Sequence, residues 1–420
     1  MDTAAPRPLD RPLDRAACAA LDAADPLAFV RDRFELPDGV IYLDGNSLGP
    51  MPRGVAERVA EAVRVQWGRD LITSWNRHDW IGLPRRAGGK IARLIGAEAE
   101  EVVVADSTSV NLFKCAVAAL ELNAPRRVLL AQAGDFPTNL HILQGVARVT
   151  GAELRIVPVE ALEANLTGEV AALVLTHVSY RSGRVHDMAA LTRRAHEGGA
   201  LAIWDLCHSA GVLDVDLNAC EADLAVGCGY KYLNGGPGAP AWIYVARRWQ
   251  DRFVSPLTGW LGHARPFAML DAYEPAPGID RAICGTAPIL SLSALDAALD
   301  VFEGVELKAL RDKAGRLGDL FIRLVDERLS GSGFEVASPR DAAGRGGQVA
   351  LTHAHAWEIC QALIDRNVIP DFRAPDVVRF GLPPSYVRFV DVWDAVEVLR
   401  AIMAQDAWRE PRFAVRSAVT

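Results

Sequence analysis

Short, continuously apolar runs alternate with stretches of helical periodicity through the middle of the chain. Strands are expected over 102–104, 128–130, 154–157, 171–175, 200–204 and 224–227, with a helix over 110–122 and helix-like segments in most other intervals. Apolar strands separated by helices predict an α/β fold with a mostly parallel central sheet covered by helices on both faces. Ligands of such sheets sit beyond the carboxyl ends of the strands, so the polar residues just after each apolar run are the ones to examine. Upstream, a polar arm and a short helix lead to a brief strand over 40–43. An irregular loop over 44–50, with two glycines, an asparagine and a proline, and a helix over 53–67 follow. Beyond Ser293 the pattern changes. A long amphipathic stretch over 294–329 precedes strands near 334–336 and 348–351, a helix near 357–366 and a last strand near 377–380. This reads as a smaller α+β domain. The expected division is an amino-terminal arm and loop over 1–55, a large domain over 56–295 and a small carboxy-terminal domain over 296–420.

Composition narrows the function classes. Half the residues are hydrophobic, 23% are charged and the formal net charge is -8, with no dense Lys/Arg run. Nucleic acid and anionic membranes are therefore poor partners. The seven cysteines are odd in number and form no C-x-x-C pair, which suggests neither a disulfide framework nor a zinc cluster and fits a reducing cytoplasm. His353 and His355 stand two apart with no evident third ligand, so no metal is expected. No apolar run approaches the ~18 residues of a spanning helix, and the first residues lack the apolar core of a signal peptide. An RPLD duplication over 7–14 carries no assignable role.

The chemistry concentrates between residues 201 and 240. One apolar strand delivers Asp205 at its end, with His208 one turn later. The next runs into Tyr230-Lys231 and the glycine-rich turn Gly235-Gly236-Pro237-Gly238. An aldehyde-bearing pyridinium used as an electron sink needs a carboxylate to keep its ring nitrogen protonated and a lysine amine to bind its aldehyde. Alone, Asp205 is as well read as a helix cap, and Lys231 as a surface lysine. On successive strand ends they fit that pair of jobs. Small hydroxyl residues over 106–111, among them Thr108 and Ser109, open a helix after a strand, where free N–H groups suit a phosphate. Phe136, followed by Thr138 and Asn139, offers an aromatic face and polar groups after another strand.

These segments together resemble kynureninase, a fold-type I pyridoxal-phosphate family. The segments that carry the resemblance are YLDGNSLGP (42–50), TSVNLF (108–113), FPTNL (136–140), LTHVSYRSG (175–183), WDLCHSAG (204–211), GCGYKYLNGGPG (227–238), GWLGH (259–263), CGTAPILS (284–291) and VVRFG (377–381). They follow the family's order and span nearly the whole chain. The resemblance implies pyridoxal 5'-phosphate as cofactor and hydrolysis of L-kynurenine or 3-hydroxykynurenine to anthranilate or 3-hydroxyanthranilate and L-alanine, in tryptophan catabolism and NAD precursor supply. It implies a cytoplasmic homodimer. Lys231 becomes the Schiff-base lysine and α-proton base, Asp205 the ring-nitrogen partner and Tyr230 a proton relay. Phe136 stacks on the ring, and Thr108, Ser109, Thr138, Asn139, His208, Tyr230, Trp260 and Thr286 surround the cofactor, the last-named Trp260 and Thr286 from the neighbouring subunit. Arg379 grips the substrate α-carboxylate, while Ser47 and Trp75 line the aryl pocket.

The family pattern predicts Asp at the position of Asn139, and an amide supplies hydrogen bonds but no charge there. Whether Asn111, His78 or Ser47 faces the aryl ring stays open, as does the preference between the two substrates. Two enzymes of the same fold are the nearest rivals. A cysteine desulfurase needs a nucleophilic cysteine on a mobile loop, and none of the seven lies in an obvious Gly/Ser-rich one. A class V aminotransferase would yield a keto acid in place of alanine. A catalytically silent binding protein of this fold is disfavoured by the intact Asp205, His208, Tyr230 and Lys231.

Overall fold

The computed structural model describes residues 13–417; most of the RPLD duplication lies outside them. The chain forms two units. One holds Met51–Tyr180 and His186–Glu303; the other holds the described residues up to Pro50, Arg181–Val185 and the chain from Gly304 onwards. Among the described residues no helix is long and apolar enough to cross a membrane.

The larger unit is built on seven strands: β1 (Val102–Val104), β2 (Val128–Gln132), β3 (Glu153–Val157), β4 (Val170–Thr176), β5 (Leu201–Asp205), β6 (Leu224–Gly227) and β7 (Trp242–Val245). Their order is β1-β7-β6-β5-β4-β2-β3. The pairs from β6 through β3 are parallel, and β7 runs antiparallel to both β6 and β1. Strands β1, β4, β5, β6 and β7 are buried at every position, which is why they read as unbroken apolar runs without alternation. Helices α1 (Thr108–Leu122), α2 (Pro137–Thr150) and α3 (Met188–Glu197) connect the parallel strands. Ser107 caps α1 by accepting a hydrogen bond from Val110 N, and Pro137 opens α2, where a missing N–H costs nothing. The expected helix over 53–67 is present, but its second half, Ala62–Trp67, is wound as a π-helix.

The β6–β7 contact leaves no room for a side chain on Gly227: a Cβ there would stand 2.3 Å from the buried Trp242 indole. Gly227→Ala should therefore cost about 1–3 kcal/mol of stability through overpacking. Urea denaturation measures it, and a change below about 0.5 kcal/mol, the scatter of neutral substitutions, would refute the packing argument.

The second unit carries an antiparallel sheet of β8 (Glu335–Val336), β9 (Gln348–Thr352), β10 (Asp371–Arg373) and β11 (Val377–Gly381), in the order β10-β11-β9-β8. Ile41–Tyr42 pairs in parallel with Val368–Ile369, which fixes the start of the 44–50 loop in this unit. The amphipathic stretch expected over 294–329 is not one helix. It divides into α4 (Ile289–Ala298) with a short 3-10 turn, and α5 (Leu307–Arg328), because Gly304 takes a left-handed conformation at φ 69° between them. Helix α6 (Phe389–Ala404) follows the sheet; its first two N–H groups are bonded by the Asp22 carboxylate.

Candidate active site

Parallel register sets the core of the site. Thr176 at the end of β4 pairs with Asp205 at the end of β5, which pairs with Val226 near the end of β6. The chain leaves these three strands on one edge of the sheet, and Lys231 follows β6 by one turn. A cavity of about 230 Å³ opens there, lined by Thr108, Ser109, Phe136, Thr138, Asn139, Thr176, Tyr180, Asp205, Cys207, His208, Tyr230 and Lys231. The structure thus brings nine sequence-predicted residues into one cavity, from four separate stretches of chain. Thr176, Tyr180 and Cys207 had not been singled out. The signal for Thr176 was available, since it is the polar residue that ends an apolar run.

Asp205 is 4% exposed, and its partners are neutral: Asn139 Nδ2 donates to Oδ2 at 2.8 Å and Cys207 N donates to Oδ1 at 2.8 Å. No cation pairs with it among the described residues. A buried carboxylate without a counter-ion facing a cavity is costly unless a ligand supplies the positive charge. Asn139 also donates to Thr176 Oγ1 at 3.2 Å, so the amide bridges two strand ends. Asp135, which accepts hydrogen bonds from the Thr176 N–H and hydroxyl, has its pKa raised, chiefly by burial.

Lys231 Nζ is in hydrogen-bond contact with His208 Nε2 at 2.9 Å. The same Nζ lies 5.7 Å from the centroid of the Phe136 ring, which is 37% exposed and meets Tyr180 edge-on. Burial, and then the nearby Cys228 and Cys207, push the Tyr230 phenol upward, so it is protonated at neutral pH. Thr108 and Ser109 occupy the first turn of α1, where unpaired N–H groups and the helix dipole favour an anion. An aromatic face, an amine, an uncompensated carboxylate and a helix N-terminus in one cavity fit a phosphorylated pyridine aldehyde.

The other predicted residues lie elsewhere. Trp260 (38% exposed) and the exposed Thr286 belong to the same unit but do not line this cavity. Trp75 sits edge-on to Trp80. Asn111 and His78 are likewise engaged outside the cavity, Asn111 Nδ2 with Ala105 O at 2.7 Å and His78 with Asp70 at 2.7 Å.

In the second unit Arg379 and Ser47 do meet, around a residue the sequence did not reveal. Asp371 faces Arg379 across β10 and β11 and accepts from Arg379 Nε at 2.9 Å. Ser47 Oγ donates to Asp371 at 2.7 Å, and Arg373 Nη2 lies 2.7 Å from the same carboxylate. Asp44 completes the cluster. Burial and then repulsion from Asp371 push its carboxyl up to about 7, against the pull of Ser47, Arg379 and Arg373. A raised carboxyl binds more protons folded than unfolded, so its contribution is fully present below about pH 4 and is lost as pH rises through 7. Asp44→Asn should be more stable than the parent by about 1–3 kcal/mol at pH 8, with the difference closing below pH 4. Denaturation midpoints across that range test this; a constant difference would show that Asp44 is ionised throughout.

Comparison with known proteins agrees with this geometry. Residues 310–399 match the family model of the kynureninase C-terminal domain. A kynureninase of Burkholderia mallei is 49% identical over 414 residues, covering 97% of this chain and 99% of that protein. Among solved structures, the apo cysteine desulfurase of Thermococcus onnurineus superposes with a TM-score of 0.74 at 21% identity, over 90% of this chain and 98% of that one. A C-DES mutant with glycine covalently linked to its PLP cofactor also gives 0.74, at 18% identity, over 88% and 98%. These two show the shared fold, a fold-type I architecture.

Proposed function

The chain belongs to the kynureninase family, and from that premise we propose how its residues divide the work. It is a pyridoxal-phosphate-dependent hydrolase acting on a carbon–carbon bond, in the kynurenine pathway. L-kynurenine, or its 3-hydroxy analogue, is cut between Cβ and Cγ to give anthranilate, or 3-hydroxyanthranilate, and L-alanine. The observation that supports the residue roles best is the buried Asp205 carboxylate facing the same cavity as Lys231 without a counter-ion.

When bound, the cofactor draws electrons from the substrate's Cα through a protonated ring nitrogen. Asp205 keeps that nitrogen protonated, and Asn139 and the Cys207 N–H hold the carboxylate in place. Phe136 covers the ring face. Thr108 and Ser109, at the α1 terminus, take the phosphate, with Thr138 beside them. Lys231 tethers the cofactor and then carries the proton off the substrate's α-carbon; His208, in hydrogen-bond contact with its amine, orients it. Tyr230, held protonated by burial, delivers protons near Lys231. Arg379 grips the α-carboxylate as a planar donor whose orientation Asp371 fixes, and Ser47 lies beside them. Trp75 belongs to the aryl pocket.

The working unit is a cytoplasmic homodimer in this reading. Val254, Leu257, Trp260, Phe267, Met269 and Leu270 are all exposed, a concentration of apolar surface along 254–270 that a second copy would cover. Trp260 and Thr286 would then reach the partner's cofactor. The test is to supply the purified enzyme with pyridoxal phosphate and L-kynurenine and follow anthranilate fluorescence alongside keto-acid formation. Stoichiometric anthranilate and alanine are expected; a keto acid without anthranilate would overturn the reading in favour of transamination.

A further inference from the structure

Cys207 and Cys228 leave adjacent parallel strands in step. Asp205 pairs with Val226, and Leu206 N donates to Val226 O at 2.8 Å, so Cys207 and Cys228 each follow a paired position by two residues, just past the ends of β5 and β6. Cys228 Sγ lies 4.0 Å from the Cys207 carbonyl oxygen. Neighbouring strands run about 4.8 Å apart and disulfides span Cα separations of about 4.4–6.8 Å, so two segments that leave adjacent strands side by side start at a spacing a disulfide can span. We propose that Cys207 and Cys228 are a reversible oxidation site, forming a disulfide in the floor of the cofactor cavity that lowers turnover.

Each part of the chemistry has a place. Cys207 lines the cavity, with Thr108 Oγ1 3.8 Å from its sulfur, so a small peroxide entering there meets Cys207 first. Cys228 is 4% exposed and sits behind it. The Cys207 thiol is raised by its hydrogen bond with Cys228 and by burial. Burial opposes ionisation of Cys228 too, but that hydrogen bond and the charge of Lys231 bring it below its ordinary value. Cys228 is therefore the better thiolate for the resolving step. The Cys207 sulfur attacks a peroxide oxygen, the O–O bond breaks, and water leaves as Cys207 becomes a sulfenic acid. Cys228 then gives up its proton, its thiolate attacks that sulfur, and the expelled hydroxide takes up the released proton to leave as a second water. Two thiols lose two electrons, and the peroxide gains them. The bridge ties together the turns that carry His208 and Lys231, one residue after Cys207 and three after Cys228, and it displaces the Cys207 sulfur from Thr108.

The test treats the holoenzyme with millimolar hydrogen peroxide, blocks free thiols and digests without reduction. The expected product is a peptide pair containing Cys207 and Cys228, two hydrogens lighter than the separate peptides. Turnover should fall at least fivefold in step with the bridge and return with dithiothreitol. Cys207→Ser and Cys228→Ala should each abolish the bridge. Over-oxidation of Cys207 with no bridge in the parent enzyme would overturn the proposal, and so would a complete bridge with unchanged turnover. The mass readout on the parent chain needs no variant to fold.

Discussion

Lys231→Ala is expected to lose turnover by roughly 10²–10⁴-fold, the range a positioned proton-transfer group supplies, and to lose covalent cofactor attachment altogether. The structure gives the amine both of its requirements. Its Nζ reaches the same cavity as the Asp205 carboxylate, and the hydrogen-bond contact with His208 Nε2 fixes where it points. A positioned amine acts twice, first as the tether and then as the base at the α-carbon, so one truncation removes two functions. Borohydride reduction followed by peptide mass separates them from general damage to the cavity. The parent should carry reduced cofactor on Lys231 and the variant none, while the variant still binds free pyridoxal phosphate through the α1 terminus and Phe136. A variant that retains trapped cofactor would move the tether to another residue. Lys231→Arg should fare no better for attachment, because a guanidinium keeps the charge but is not a nucleophile at neutral pH.

The parts of this site that the sequence showed and those it hid differ for physical reasons. Asp205 and Lys231 were legible because both follow unbroken apolar runs, and a strand buried on both faces has no other pattern to show. Direction was not legible. The four residues of β7 are as apolar as those of β6, yet β7 runs antiparallel, and nothing in a short apolar run records which way it points. The break before α5 was hidden as well, since the amphipathic period continues through Gly304 and only its left-handed backbone shows the interruption. Asp371 was the costliest omission. A lone Asp within Asp-Phe-Arg looks like an exposed edge residue, and its being only 1% exposed makes sense only once the antiparallel register sets Arg379 opposite it. Pairings between strands distant in sequence are what a single chain read in order does not supply. The same limit applies to Cys207 and Cys228, which become neighbours only through the β5–β6 register.

Asp205→Ala should lower kcat by roughly 10²–10³-fold, the loss typical of removing one group aimed at the charge that develops during reaction. The carboxylate is buried, accepts only from neutral donors and faces the cavity, so its negative charge is held for a ligand. Without it the ring nitrogen has no anionic partner to keep its proton, and cofactor affinity should fall together with kcat. Asn139 sharpens the test. In this chain the amide donates to Asp205 Oδ2 at 2.8 Å, a contact that a second carboxylate could make only by holding a proton. Asn139→Asp would therefore place two acids on one proton, and like charges at that distance do not both ionise readily. The variant should gain a new step in the pH dependence of kcat/KM, with activity changing as the shared proton is lost, while Asn139→Ala should weaken cofactor binding without adding a step. Titrating the cofactor's absorbance in each variant across pH 5–9 reads the same event without turnover. If Asn139→Asp shows the parent's pH profile in both measurements, the amide is not what sets the charge on Asp205, and that carboxylate's role would rest on the cofactor alone.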